Sequence, residues 1–148
     1  MAQTDDLEEI RQLKARYFRL MDEKDWDALA DVFTDDVEMD MRGEGSELIR
    51  GRDAYMPFIR QVLDGVTTVH HGHMPEIELT SATTATGIWA MEDKLWWTNG
   101  EHEEHLHGYG HYHEEYRREN GRWLISYRKL TRLRADVTAG FFDYIQTL

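Results

Sequence analysis

Val69-His70-His71-Gly72-His73-Met74-Pro75-Glu76-Ile77-Glu78-Leu79 reads as a β-strand with a break in its middle. Val69 and the histidines open it, Pro75 interrupts it, and Ile77 and Leu79 resume the alternation. Proline has no N–H to give to a sheet ladder, so inside a strand it marks an edge or a bulge. A bulge adds one unpaired residue, and every side chain beyond it changes face. Counting back from Ile77 and Leu79 without a bulge puts His71 and His73 inside. One extra residue at Met74-Pro75 puts His70 inside instead, and parity alone leaves both open.

Downstream, the chain reads as a meander of long strands over 67–79, 83–97, 103–119 and 122–135. Polar turns separate them, and Asn120-Gly121 is the strongest hairpin signal among these. Upstream, Leu7, Ile10, Leu13, Tyr17 and Leu20 or Met21 recur at helical spacing, which predicts a first helix over 4–22. A second helix is expected over 25–33 with Trp26, Leu29, Ala30 and Phe33 inward, and Thr34-Asp35-Asp36 as a turn. A strand over 37–41 and a loop from Arg42 follow, then a third helix over 53–63 capped by Asp53. Three N-terminal helices and a mostly antiparallel meander give an α+β fold, with the helices packed on a curved sheet that encloses a pocket. The tail, 136–148, carries Phe141, Phe142, Tyr144 and Ile145 and reads as a short helix or a cover for a neighbouring subunit.

At 148 residues the chain is expected to form one domain, and 41% hydrophobic content with 11% aromatics is globular in character. No stretch approaches the roughly 20 apolar residues of a membrane span. The acidic start lacks the basic and apolar regions of a secretion signal, and zero cysteines excludes disulfides and thiolate metal sites; both fit a cytoplasmic location. A formal charge of −12 argues against nucleic acid and anionic membrane as partners, which leaves a small molecule or a protein.

Several residues carry possible chemistry. A carboxylate that accepts from one imidazole nitrogen fixes the tautomer and frees the other nitrogen to act as a base. Asp22, at the end of the first helix, is the candidate partner for a pocket histidine, and a phenol such as Tyr17 is suited to donate to an oxygen that gains charge. Both address one cavity only if the helix ends near Asp22. Arg128 lies in Trp123-Leu124-Ile125-Ser126-Tyr127-Arg128, on the face opposite Trp123, Ile125 and Tyr127 if the strand is regular. A buried arginine there needs an anionic or polar partner, and Asp93 has the same choice between core and surface. His105 with His107, and His111 with His113, have H-x-H spacing suited to metal, but they read equally as an exposed histidine-rich face.

Taken together, the Ala15–Asp22 helix end, the Asp25-Trp26-Asp27-Ala28-Leu29-Ala30-Asp31-Val32-Phe33 box, the strand at His70, Gly110-His111-Tyr112-His113-Glu114-Glu115-Tyr116 and Asn120–Arg128 resemble the SnoaL-like group of the nuclear transport factor 2-like (NTF2-like) superfamily over residues 5–135. Within it, the functional likeness is to bile acid 7α-dehydratase and, more distantly, γ-hexachlorocyclohexane dehydrochlorinase, both of which rest on an Asp–His pair. The resemblance implies Tyr17, Asp22, His70, Asp93 and Arg128 as catalytic residues and favours His70 over His71. It implies a cofactor-independent lyase of dehydratase type, or an isomerase, acting on a small apolar steroid-like or aromatic carbonyl compound. Asp93, if protonated, would assist the leaving group. Trp89, Met91, Gly110 and Tyr112 are expected to wall the pocket, no metal or organic cofactor is required, and a homodimer or homotrimer is expected. The same superfamily holds ligand carriers and accessory subunits, and that alternative predicts that Tyr17, Asp22 and His70 need not meet.

Overall fold

The structure, a computed structural model, describes residues 2–146, with side chains from Asp5 onward; Thr147 and Leu148 of the tail lie outside the described residues. Helix α1 spans Ala2–Glu23. Its stripe is buried as the spacing predicts, with one addition: Lys14 stands among Ile10, Leu13, Tyr17 and Met21 and is equally buried. The helix ends where Lys24 turns left-handed at φ 62°. The Lys24 N–H then bonds the Met21 carbonyl and the Asp25 N–H bonds that of Leu20, which satisfies the last turn.

Helix α2 (Trp26–Ala30) is shorter than the apolar spacing suggests, and Thr34-Asp35-Asp36 is not a turn. Phe33 instead opens strand β1 (Phe33–Asp40), and its side chain is still buried. A 3₁₀ turn (Arg42–Glu44) and a short strand β2 (Leu48–Arg50) occupy the expected loop. Helix α3 (Arg52–Leu63) is capped by Gly51, not by Asp53. Gly51 takes φ 92°, its N–H bonds the Val37 carbonyl, and its own carbonyl receives Ala54 and Tyr55, so the helix begins before Asp53 can cap it.

Four long strands follow: β3 (Thr67–Leu79), β4 (Thr84–Asn99), β5 (His102–Glu119) and β6 (Arg122–Val137). Asn120 and Gly121, at φ 52° and 77°, turn β5 into β6 in the way that hairpin turns with two left-handed residues require. The sheet is curved and unclosed, in the order β2-β1-β6-β5-β4-β3, and only the β1–β6 pair is parallel. Helix α1 packs against β3 and α3 against β1, so the core lies between helices and sheet. The tail forms a fourth helix, α4 (Phe141–Gln146), where three helices are expected from the N-terminal half. Among the described residues no helix is long and apolar enough to cross a membrane.

Bulges set which side chains face the core. In β3 the register passes from His73 opposite Ala90 to Glu76 opposite Ile88, so one extra residue lies at Met74-Pro75. His70 therefore shares the inner face with Ile77 and Leu79, while His71 and His73 turn outward to Glu92, at 3.8 and 3.3 Å. Strand β6 has two such shifts, at Ser126 and Leu133. Simple alternation puts Arg128 on the face opposite Ile125, but the Ser126 bulge brings Trp123, Ile125, Arg128, Leu130 and Arg132 onto one face. A row of cross-strand partners then runs His70, Asp93, Gly108, Ala135 across the inner surface.

Candidate functional site

A cavity of about 180 Å³ lies between α1, α3, the inner face of the sheet and α4. Tyr17, His70, Asp93, Arg128, Arg132 and Glu44 supply its polar wall. Met21, Tyr55, Ile59, Leu95, Phe141 and Phe142 are among its apolar lining. Phe141 packs on Trp97 with ring centres 5.0 Å apart, and the Tyr144 hydroxyl donates to the Thr98 carbonyl at 2.8 Å, which seats α4 against the end of β4.

His70 is held from behind. Asp22 Oδ1 lies 2.7 Å from His70 Nδ1, and Asp22 Oδ2 accepts the His70 backbone N–H at 2.9 Å. The Thr68 hydroxyl donates to Asp22 Oδ1 at 2.9 Å and accepts from Lys24 Nζ at 2.7 Å. The carboxylate thus reaches His70 from the last turn of α1, which packs on β3, and is about a quarter exposed. Burial pushes the Asp22 carboxyl upward, but the bonds and charge of His70, with the Thr68 bond, outweigh it and hold Asp22 below the ordinary carboxylate range. An ionised Asp22 accepts the Nδ1 proton, which leaves Nε2 as the acceptor nitrogen of the ring.

Two arginine–carboxylate pairs complete the polar wall. Arg132 grips Asp93 through two bonds of 2.9 Å, and Arg128 grips Glu44 at 2.9 and 3.3 Å. Gly108 makes the first pair possible, since a Cβ there would overlap both Arg132 Nη1 and Asp93 Oδ1. Burial raises the Asp93 carboxyl, yet the bonds and charge of Arg132, with the charges of His70 and Arg128, bring it below its ordinary value. Asp93 is therefore ionised, which corrects the expectation of a protonated acid. Tyr17 is buried, and desolvation lifts its phenol far above its ordinary value despite the opposing charge of Arg128, so it keeps its proton. The Nε–H of Arg128, also buried, has no acceptor among the described residues.

Five residues singled out in the sequence thus converge: Tyr17, His70, Asp93 and Arg128 on the cavity and Asp22 behind it. The four expected wall residues do not line the cavity. Trp89 donates to the Tyr116 hydroxyl at 2.9 Å, Met91 is core, the space beside Gly110 is filled by the Thr131–Arg132 backbone, and Tyr112 lies buried beneath Tyr17 and Phe18. Their parity is right but their row is too deep, toward the end of the sheet that the aromatic side chains fill. Glu44 and Arg132 are missing from the sequence reading. Glu44 lies in a loop that gives no periodic signal, whereas Arg132, four residues after Arg128, shares its face by simple alternation. Lys14, on the apolar stripe of α1, was legible in the same way. His105 and His107 stack with ring centres 4.6 Å apart, His113 meets Thr131 Oγ1 at 3.1 Å, and no set of three His, Asp or Glu among the described residues is placed to hold a metal ion.

Comparison with solved structures gives the same fold. A Mycobacterium tuberculosis protein of unknown function is 26% identical, with a TM-score of 0.74 over 89% of this chain and 74% of that one. A scytalone dehydratase-like protein from Novosphingobium aromaticivorans is 20% identical, with a TM-score of 0.81 over 93% and 91%. The type 3 hexachlorocyclohexane dehydrochlorinase LinA from Novosphingobium barchaimii is also 20% identical, with a TM-score of 0.78 over 94% of each chain. At these identities the last two likenesses establish fold alone. The family model of the SnoaL-like domain matches residues 2–129, and the chain belongs to that family.

Proposed function

We propose that the cavity carries out a cofactor-independent elimination of dehydratase type, with His70 as the base. The observation that supports this reading most is the two-point hold of Asp22 on His70 at the wall of an apolar cavity. In the proposed reaction Nε2 of His70 removes a proton from a carbon next to a carbonyl. The electron pair forms the C=C bond and the β-carbon to oxygen bond breaks. Tyr17 keeps its own proton and donates a hydrogen bond to the departing oxygen. The His70 imidazolium, stabilised by Asp22 behind it and by Asp93 in the adjacent strand, returns the proton, and water leaves. The Arg128 guanidinium, on the cavity wall, polarises the carbonyl.

The substrate class follows from size and charge. A cavity of about 150 Å³ holds one benzene ring, so about 180 Å³ suits a single substituted ring better than a steroid nucleus. Both guanidiniums facing the cavity already hold carboxylates, which favours a neutral hydroxy-ketone over an anion. Incubation with a panel of cyclic β-hydroxy ketones, read by ultraviolet absorption of the enone product, tests the reading. Turnover by the native protein and its loss in His70→Ala is expected. Turnover that survives in His70→Ala would refute it and favour a binding role.

A further inference from the structure

The proposed reaction makes no use of the most deeply buried charges in the molecule. Lys14 and Glu114 both have side chains at 0% exposure, and Lys14 Nζ lies 2.7 Å from Glu114 Oε2. The other carboxylate oxygen accepts the Tyr116 hydroxyl at 2.7 Å, and that hydroxyl in turn accepts Trp89 Nε1 at 2.9 Å. The ammonium has three protons to place. Besides Glu114 it meets two ring faces, with Tyr17 at 3.7 Å and Tyr112 at 3.8 Å to the ring centres, and Phe18 lies at 4.7 Å. Lys14 and Tyr17 are one helical turn apart on α1, so the contact is built into the helix.

Burying an ion pair is costly, and apolar residues of the same volume are often as stable or more stable. The pair is therefore weak evidence for stability, and the group it touches next to the cavity is Tyr17. We propose that Lys14 is a positioning residue for Tyr17: its ammonium, anchored by Glu114 and set against the Tyr17 ring, fixes the ring plane and withdraws electron density from it, which strengthens the hydrogen bond that the phenol donates into the cavity. The proposal rests on Tyr17 being the donor in the elimination. A cation held against a desolvated aromatic face is worth up to about 2 kcal/mol, enough to define a ring orientation.

The device works only while Lys14 is charged. The titratable and charged groups that face it are Tyr17 on α1, Tyr112, Glu114 and Tyr116 on β5, Arg128 on β6 and Glu44 in the 3₁₀ turn. Burial, opposed by the charge and bond of Glu114, brings the Lys14 ammonium down to about 8. Tyr17 itself ionises far above that, so the donor weakens as Lys14, not the phenol, loses its proton.

The test is NMR titration of the whole protein carrying ¹³Cζ-tyrosine and ¹⁵Nζ-lysine, with Tyr17 assigned through Tyr17→Phe. In the native protein the Tyr17 ¹³Cζ signal should shift with a midpoint near pH 8, together with the Lys14 nitrogen. The shift should vanish in Lys14→Met/Glu114→Gln, which removes both charges and keeps the volume. On an accepted substrate that variant should lose roughly tenfold in kcat, less than the ~10²–10³ expected for deleting a donor outright, with KM little changed. A Tyr17 signal that stays flat across the Lys14 titration in the native protein overturns the proposal, and so does a shift that persists in the double variant. The native titration needs no variant to fold and no substrate. It is therefore separate from the His70→Ala experiment, which tests the elimination itself.

Discussion

Asp22 makes two bonds to one residue, and they do different work. The backbone bond fixes where His70 stands, and the ring bond fixes which nitrogen carries the proton. Asp22→Asn keeps the size and loses the charge, so His70 should stay in place with its tautomer no longer enforced. Turnover should fall about 10²–10⁴-fold, while the melting temperature moves little; steady-state rates and thermal melts check the two halves. The acid limb of stability follows from the same carboxylates. Asp22 and Asp93 both have folded values below the ordinary 3.8. Their contribution is present above the unfolded value and is lost as pH falls through the depressed folded ones. Urea denaturation from pH 6 downward should show stability falling below about pH 4, and Asp93→Asn should flatten that fall. The identities of these residues were legible because helix spacing delivers Tyr17 and the helix end delivers Asp22. Glu44, the partner of Arg128, lies in a loop without periodicity, and Arg132, the partner of Asp93, follows by alternation only once Arg128 has been placed on the inner face.

At the scale of the element, three bulges decide what the cavity contains. The one at Met74-Pro75 announces itself through the proline, and His70 depends on it. Those at Ser126 and Leu133 carry no such mark, because neither residue is barred from a regular ladder. A regular alternation through Ser126 therefore separates Arg128 from Ile125, when in fact both face the core. Deleting Met74 should return β3 to plain alternation, expose either His70 or the Ile77–Leu79 pair, and abolish turnover; hydrogen exchange across residues 67–79 would show the lost protection. Two neighbouring glycines on β5 separate site from scaffold. Gly108→Ala displaces the movable ends of Arg132 and Asp93, at roughly 1–3 kcal/mol, and should disable the site more than the fold. Gly110→Ala meets the Thr131 carbonyl, a backbone atom, and should cost roughly 3 kcal/mol or more. Chemical denaturation of both variants distinguishes them. Helix α4 was legible as an aromatic tail, but its place over the cavity was not, since nothing local ties Phe141 to Trp97. Ending the chain at residue 139 removes Phe141 and Phe142 from the lining and should raise KM well above its effect on kcat.

At the scale of the molecule, the concave face of the sheet lines the cavity and its outer face carries the outward histidines. Order and type of the long strands were readable from alternation and turn residues, and the curvature that makes a cavity follows from a sheet wrapping a helix. The outer face exposes Leu133 and Ile88 beside the outward histidines, and self-association through it is the expected outcome in sedimentation equilibrium. In the proposed reaction the whole arrangement serves a single proton transfer inside a small, mainly apolar space. The most direct measurement is deuterium wash-in: a cyclic ketone that carries no leaving group, incubated with the protein in D₂O and followed by proton NMR. The native protein should exchange the hydrogen next to the carbonyl, with exchange falling about 10²–10⁴-fold in His70→Ala. Equal exchange in both proteins, on a ketone that binds, would contradict His70 as the base.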